Sequence, residues 1–479
     1  MSKLKVGYVG VAFATYYAEE HDQFNRAVTG LEALAQQLDF ELVPIRYGVM
    51  DASQAETVAQ ELSAQNLDFL LVQAAACADG ESIIPLSKVA PRLGIWSIPD
   101  PHQDGEIQIH SLVVLNQYAS ILKRYLRHQK VAFKWFYDHV ETERFQKRFC
   151  LTIRALKAMK GIANARVGWI GGLSPGFLDM EFDAGKLEQR MGGTRVFTHE
   201  LAEVVALAKT IDEKAAEAVA MDVTAAGSEV RVTSSQMVKG SRVYLALKEL
   251  AARNNYSCLA VECWPQFQAQ YEVAPCMSYS WLGSEDGMAV SCEGDVMGAL
   301  SMQLLNELTD VKGSATMLDM TGMDLEANTM LMWHCGVSPR HFANKDGINW
   351  INHPTLGRKF PDGPYGVSGD QVFGAQETSL TYIGDSGDTL LVMRSQVVER
   401  EKKGFTGTRG WFTEFELNQE PIDIWELMNT LVVRGQEHHY AIGQGDVTNE
   451  LLEIAAWLNM RTIERVPYRD YLQVEGVNA

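Results

Sequence analysis

Residues 165–177, ARVGWIGGLSPGF, decide how this chain divides. Val167 to Ile170 read as a strand, and the glycines and proline behind them read as the turn that ends it. The same order stands at residues 4–13, LKVGYVGVAF. After the first opening come a helical stretch from about Asp22 to Leu38, a strand FELVPI (40–45), a helical run through Val58–Leu62, and strands LDFLLV (67–72) and LGIWSI (93–98). The stretch from about His110 to Lys160 is charged and reads as mostly helical. After the second opening come a helix near Glu181–Met191, a strand GTRVFT (193–198), a helix HELAEVVALAKTI (199–211) and a strand SCLAVECW (257–264). Strands alternating with helices at this spacing predict parallel sheets with helices on their faces.

The last third has another texture. From about Gly347 to Glu420 it is rich in Gly, Pro, Thr and Asp, and TSLTYIGDSGDTLLVMRSQVVE (378–399) reads as strand, turn, strand. A helix returns at about Val447–Leu458. The fold class expected is therefore α/β. It has two Rossmann-like parallel-sheet domains, 1–164 and 165–312, and then a β-rich, barrel-like C-terminal domain, 313–479, with closing helices.

Composition sets limits on partners. The 479 residues are 46% hydrophobic and 22% charged, with a formal charge of −19. An acidic surface disfavours nucleic acid and anionic membranes alike. No run approaches the ~20 apolar residues of a membrane span, and the opening MSKLKVGYVG lacks the apolar core of a signal peptide. The cysteines, Cys77, Cys150, Cys258, Cys263, Cys276, Cys292 and Cys335, are odd in number and show no C-x-x-C spacing. That pattern fits reduced thiols in a cytoplasmic protein.

Several residues carry possible chemistry. G-Y-V-G (7–10) and G-W-I-G-G (168–172) follow strands, but neither completes G-x-G-x-x-G, so they read as turns and a nicotinamide dehydrogenase is disfavoured. Glu293 and Asp295 flank Gly294 ahead of a helix, VMGALSMQLL, where acids serve as caps or as ligands. Asp319 interrupts the apolar run MLDM. A buried carboxylate there needs backbone donors or a cation. His334 ends the apolar run MLMWHCG, and His438 and His439 stand side by side in GQEHHYAIGQGDV. Adjacent residues of a strand face opposite ways, so one of the pair faces a given pocket. Two carboxylates with one or two imidazoles suit Mn²⁺, Mg²⁺ or Co²⁺. Glu293 and Asp319 lie 26 residues apart, and Asp319 and His439 lie 120 apart, so no local motif joins them.

Five blocks occur in one order: CWPQFQ (263–268), CEGDVMGAL (292–300), MLDMTGMD (317–324), WHCG (333–336) and GQEHHYAIGQGDV (435–447). In this the chain resembles the L-fucose/L-arabinose isomerase superfamily, in particular its fucose isomerase-like branch, over most of its length. The resemblance implies a metal-dependent aldose–ketose isomerase that moves a proton between C1 and C2 through an ene-diol, with Mn²⁺ as its usual ion. It implies Glu293 and Asp319 as catalytic metal carboxylates and His439 as the metal histidine, with His438 as the fallback or a substrate contact. It sets Trp411, in GTRGWFTE, facing the sugar, and His334 near the site. A homo-oligomer, a trimer or hexamer, is implied as well. The run NQYAS (116–120) puts Ser120 where arabinose isomerases carry a histidine, and the arginine-rich opening of fucose isomerases is absent. The substrate is thus open among a pentose, a deoxyhexose and a hexose with an anionic C6 substituent. The rival reading is a non-catalytic sugar-binding or regulatory protein.

Overall fold

The computed structural model describes residues 3–309, 311, 313, 315–356 and 365–474. The boundary expected at Lys312 and residues 357–364 of the Gly/Pro-rich stretch lie outside the described residues. The chain divides into two units, Met1–Lys157 and Ala158–Ala479.

The first unit is built on five parallel strands: β1 (Lys5–Val11), β2 (Glu41–Val49), β3 (Phe69–Ala74), β4 (Arg92–Ser97) and β5 (Ala132–Tyr137), in the order β2-β1-β3-β4-β5. Every residue of β3 is buried, as expected for a strand covered on both faces. The helix Ala52–Ser63 begins where the Asp51 carboxylate accepts the Gln54 N–H at 2.8 Å. Residues 110–160 are mostly helical, as read, but β5 interrupts them. It is an edge strand, AFKWFY, with Lys134 in its middle and Trp135 exposed. A strand with one neighbour keeps a polar, mixed pattern, and that hid it.

The second unit holds two sheets. β6 (Arg166–Ile170) and β7 (Arg195–His199) come first. The two-residue β8 (Glu229–Val230) joins the later sheet. β9 (Cys258–Val261) and β10 (Ala289–Ser291) complete a parallel sheet of order β10-β9-β6-β7. The remaining strands are β11 (Ala315–Asp324), β12 (Thr329–His334), β13 (Asn349–Asn352), β14 (Gly366–Val372), β15 (Gln376–Gly384), β16 (Thr389–Val398), β17 (Thr408–Leu417), the short β18 (Glu420–Pro421), β19 (His439–Gln444) and β20 (Arg461–Thr462). β16, β15, β19, β11, β12 and β17 are antiparallel neighbours in that order, and β16 pairs with β17 in turn, so six strands close into a ring. The expected β-rich, barrel-like C-terminal region is this ring, and the expected hairpin is β15–β16.

The helix Val296–Leu308 joins the two sheets. Ten of its thirteen residues are buried, which makes it a core helix. It packs on β9 and β10 and also on β11, β15 and β19. The Ile383 N–H of β15 donates to Ser301 Oγ at 2.8 Å, which pins the helix to the ring. No helix among the described residues is long and apolar enough to cross a membrane.

Candidate metal centre

Strand register assembles the site. β11 and β19 are antiparallel, with Asp319 directly opposite His439, and Asp319 is opposite Trp333 across β11 and β12. Directly opposed residues bring their side chains within a few ångströms, about 4.5–5.5 Å between Cβ atoms. Residues 120 apart in sequence thus become neighbours. The third member comes from the loop between β10 and the helix Val296–Leu308. There Glu293 (φ 61°) and Gly294 (φ 76°) are both left-handed. A Cβ on Gly294 would overlap the carbonyl of Gly172, so glycine is required. The Ser174 N–H donates to the Glu293 carbonyl at 2.9 Å, tying the glycine turn behind β6 to this loop.

His439 meets both carboxylates. His439 Nε2 lies 3.3 Å from Glu293 Oε2 and 3.6 Å from Asp319 Oδ1. All three atoms are buried and have no hydrogen-bond partner. Orphaned buried polar atoms are rare and call for an explanation. Donors bonded at ~2.1 Å to an octahedral ion and at right angles sit about 3 Å apart, close to the two distances from His439, and donor atoms lie within 4.8 Å of one another in two sets that share it: Glu293, His334 and His439, and Asp319, His438 and His439. Two carboxylate oxygens and one imidazole nitrogen also form the donor set of a Mn²⁺- or Mg²⁺-type ion. The residues present fit a divalent cation.

Asp295 orients His439. Its Oδ2 accepts the His439 Nδ1–H at 2.9 Å, and its Oδ1 accepts the Gly298 N–H at 2.8 Å and the Tyr382 O–H at 2.9 Å. Asp295, Tyr382 and His439 are fully buried. In the neutral ring, Nδ1 protonated toward Asp295 leaves the Nε2 lone pair facing Glu293 and Asp319, the carboxylate–histidine arrangement found behind metal ligands. Gly298 makes this close: a Cβ there would strike the Asp295 carboxylate. Asp295 therefore caps the helix and orients the histidine at once.

The charges respond to this crowding. Burial works against ionisation of Glu293, but the imidazoles of His438, His439 and His334 outweigh it and hold its carboxyl at about 2. Burial dominates at Asp319 and raises its pKa, with the Glu293 charge adding to the rise. Burial also disfavours charge on His439, yet Asp295 and Glu293 push its pKa well above the ordinary imidazole value.

Each expected residue can be located. Glu293, Asp319 and His439 are brought together. His334 is buried with its ring centroid 5.6 Å from that of His439, and its Nδ1 accepts the Cys335 N–H at 2.9 Å, so Nε2 is the atom left to the site. His438 lies at the rim, its Nε2 3.8 Å from Glu293 Oε2. Trp411 is not brought to the rim. Its indole N–H donates to the Lys402 carbonyl at 2.6 Å and the Arg400 guanidinium stacks on it, 4.6 Å from the ring centroid. Trp333 lines the cavity instead, beside Asp319, His438, Met428 and Tyr440, in a volume of about 510 Å³. Trp333 went unmarked in the sequence as a site residue, although its place before His334 in WHCG was a usable signal. Tyr382 carried none.

The chain is similar to curated proteins named sulfoquinovose isomerase. It is 27% identical over 430 residues to that of Priestia megaterium (strain ATCC 12872 / QMB1551), covering 86% of this chain and 89% of the relative. It is 29% identical over 405 residues to that of Alkalicoccus urumqiensis, covering 83% and 86%. It is 30% identical over 224 residues to that of Clostridium sp. (strain MSTE9), covering 46% of each. No family model matches the chain.

Proposed function

We propose that this chain is a divalent-cation-dependent isomerase of sulfoquinovose, or of a closely similar hexose with a sulfonate at C6. That it is an isomerase interconverting an aldose and a ketose rests on its curated relatives. The metal reading rests on one observation: Glu293 Oε2 and Asp319 Oδ1 both lie within 3.6 Å of His439 Nε2, and all three atoms are buried and without partners. The substrate reading rests on the relatives' name, and it fits the anionic C6 group left open by the sequence.

Glu293, Asp319 and His439 would hold the ion. When bound, it supplies a Lewis acid for neighbouring sugar oxygens, a contribution of several kcal/mol to stabilising the ene-diolate charge. The chain's own residues do the rest. Asp295 keeps the His439 lone pair on the ligand side. Asp319 lines the cavity and so can reach the sugar. Its carboxylate takes the proton from C2 of the aldose and returns it to C1, while the hydroxyl proton passes from O2 to O1. Glu293, enclosed by three imidazoles, is the second carboxylate of the pair. Trp333 forms a wall that limits water at the reacting carbons.

The test is turnover of sulfoquinovose in D₂O with added Mn²⁺. Ketose formation with deuterium entering at the exchanging carbon, abolished by a chelator and restored by Mn²⁺, is expected. No ketose and no exchange across a panel of pentoses, deoxyhexoses and C6-sulfonated or phosphorylated hexoses would overturn the function. Retained turnover in Glu293→Gln or Asp319→Asn would overturn the site.

A further inference from the structure

Asp179 sits in the short turn Leu178–Met180, on the loop that leaves β6. Its Oδ2 accepts two hydrogen bonds from one residue, from His438 Nδ1 at 2.7 Å and from the His438 backbone N–H at 3.3 Å. Peptide and ring are therefore fixed together. Phe177 stacks on the same imidazole, with centroids 5.4 Å apart and planes 25° apart. A ring tied at Nδ1 to a carboxylate offers only Nε2 to other groups. That atom stands 3.8 Å from Glu293 Oε2, beyond hydrogen-bond reach, and the residue lines the cavity with Asp319, Trp333 and Tyr440.

The two adjacent histidines thus follow one plan with two ends. Each is tied at Nδ1 by its own carboxylate, Asp295 for His439 and Asp179 for His438. His439 is fully buried and turns Nε2 to Glu293 and Asp319, whereas the His438 side chain keeps 36% of its surface exposed at the cavity.

We infer that Asp179 is a positioning residue that fixes His438 with Nε2 directed into the cavity, where it hydrogen-bonds a hydroxyl of the bound sugar. The identity of the ligand rests on the proposed function, while the orientation of the ring does not. A hydroxyl both donates and accepts, so it suits Nε2 in either protonation state.

The experiment joins two readouts on the full chain. With ¹⁵N-labelled histidine and Mg²⁺ bound, the His438 ring signals, assigned by their loss in His438→Gln, report where the proton sits. A proton on Nδ1 is expected in wild type and in Asp179→Asn, whose side-chain oxygen still accepts, and a mixture of tautomers in Asp179→Ala. In turnover with Mn²⁺, Asp179→Ala is expected to raise KM about five- to tenfold, the loss of one modest hydrogen bond. Its kcat and Mn²⁺ affinity are expected to stay within about twofold, and Asp179→Asn to restore KM. A wild-type proton on Nε2 alone overturns the inference. So does an Asp179→Ala variant with unchanged KM, or one in which kcat, Mn²⁺ affinity and Tm fall together, since that marks a merely structural contact. If wild type turns over no sugar, the proposed function fails, and the proton position still decides whether Asp179 orients the ring.

Discussion

Asp295→Asn is the sharpest test of how the centre is built. The carboxylate takes three buried hydrogen bonds, from the Gly298 N–H at 2.8 Å, the Tyr382 O–H at 2.9 Å and the His439 Nδ1–H at 2.9 Å. An asparagine keeps one oxygen, enough for Gly298 and Tyr382, but it turns an amide N–H toward the His439 Nδ1–H. Two donors then face each other. The imidazole relieves this by moving its proton to Nε2, and the lone pair facing Glu293 and Asp319 is lost. Removing the partner behind a metal histidine costs about 10- to 100-fold in metal affinity, which is about 1.4–2.7 kcal/mol. The fold loses less, about 1–3 kcal/mol, because the helix cap and the Tyr382 bond survive. Calorimetric titration with Mn²⁺ measures the first quantity, and chemical denaturation without metal measures the second. Tyr382→Phe is the control. It removes one bond to Asp295 without touching His439, and its Mn²⁺ affinity is expected to change less than about threefold. An Asp295→Asn protein that binds Mn²⁺ within twofold of wild type would refute the claim that Asp295 sets the tautomer.

Other perturbations test the surrounding structure. Glu262 is 1% exposed with Oε2 unpartnered, and burial lifts its pKa from 4.5 to about 7. A raised carboxyl contributes stability that is complete below 4.5 and lost as the pH rises through 7, so Glu262→Gln is expected to stabilise by up to about 3 kcal/mol at pH 8 and little at pH 4.5. Equal shifts in Tm at both pH values would remove that explanation. Gly294→Ala, at φ 76° and against the Gly172 carbonyl, is expected to cost at least about 2 kcal/mol by denaturant titration and to weaken Mn²⁺ binding; a loss under ~0.5 kcal/mol would show that the loop has room. Trp333→Ala is expected to raise KM severalfold, whereas Trp411→Phe, which loses only the bond to the Lys402 carbonyl, leaves KM within twofold; the reverse ranking would return Trp411 to the sugar.

The α/β pattern was legible because its central strands are buried and their runs are nearly pure in apolar residues. LDFLLV and LGIWSI announce β3 and β4 without help from their surroundings. The turn between β15 and β16 was legible because Gly384, Asp385 and Gly387 concentrate turn chemistry between two β-prone runs. β5 was not. Among the described residues its outer edge pairs with no strand, so it lacks a clean alternation, and Lys134 donates to Thr152 at 2.8 Å within the first unit. The barrel-like character of the C-terminal region was legible, but the strand pair that closes it was not. β16 meets β17 through side chains that look like those of any half-buried hairpin, and pairing between strands leaves no mark within one strand.

The site shows the same division between local and non-local information. A carboxylate inside an apolar run, as at Asp319, and a charged pair around a glycine, as at Glu293-Gly294-Asp295, are local anomalies that a sequence displays. Their meaning comes from register. Asp319 opposite His439 is one rung of the β11–β19 ladder, and a slip of one residue would turn one of the two to the other face of the sheet. Several neighbouring pairs, Ala315–Gly443 to Leu318–Tyr440, hold that rung in place through apolar packing against the helix Val296–Leu308. The same helix begins at Asp295. The geometry of the proposed metal centre is therefore tied to core packing at two points, the rung and the cap, and a core substitution such as Leu305→Ala, whose side chain faces Gly443, is expected to loosen Mn²⁺ binding through the rung while leaving Glu293, Asp319 and His439 in the sequence.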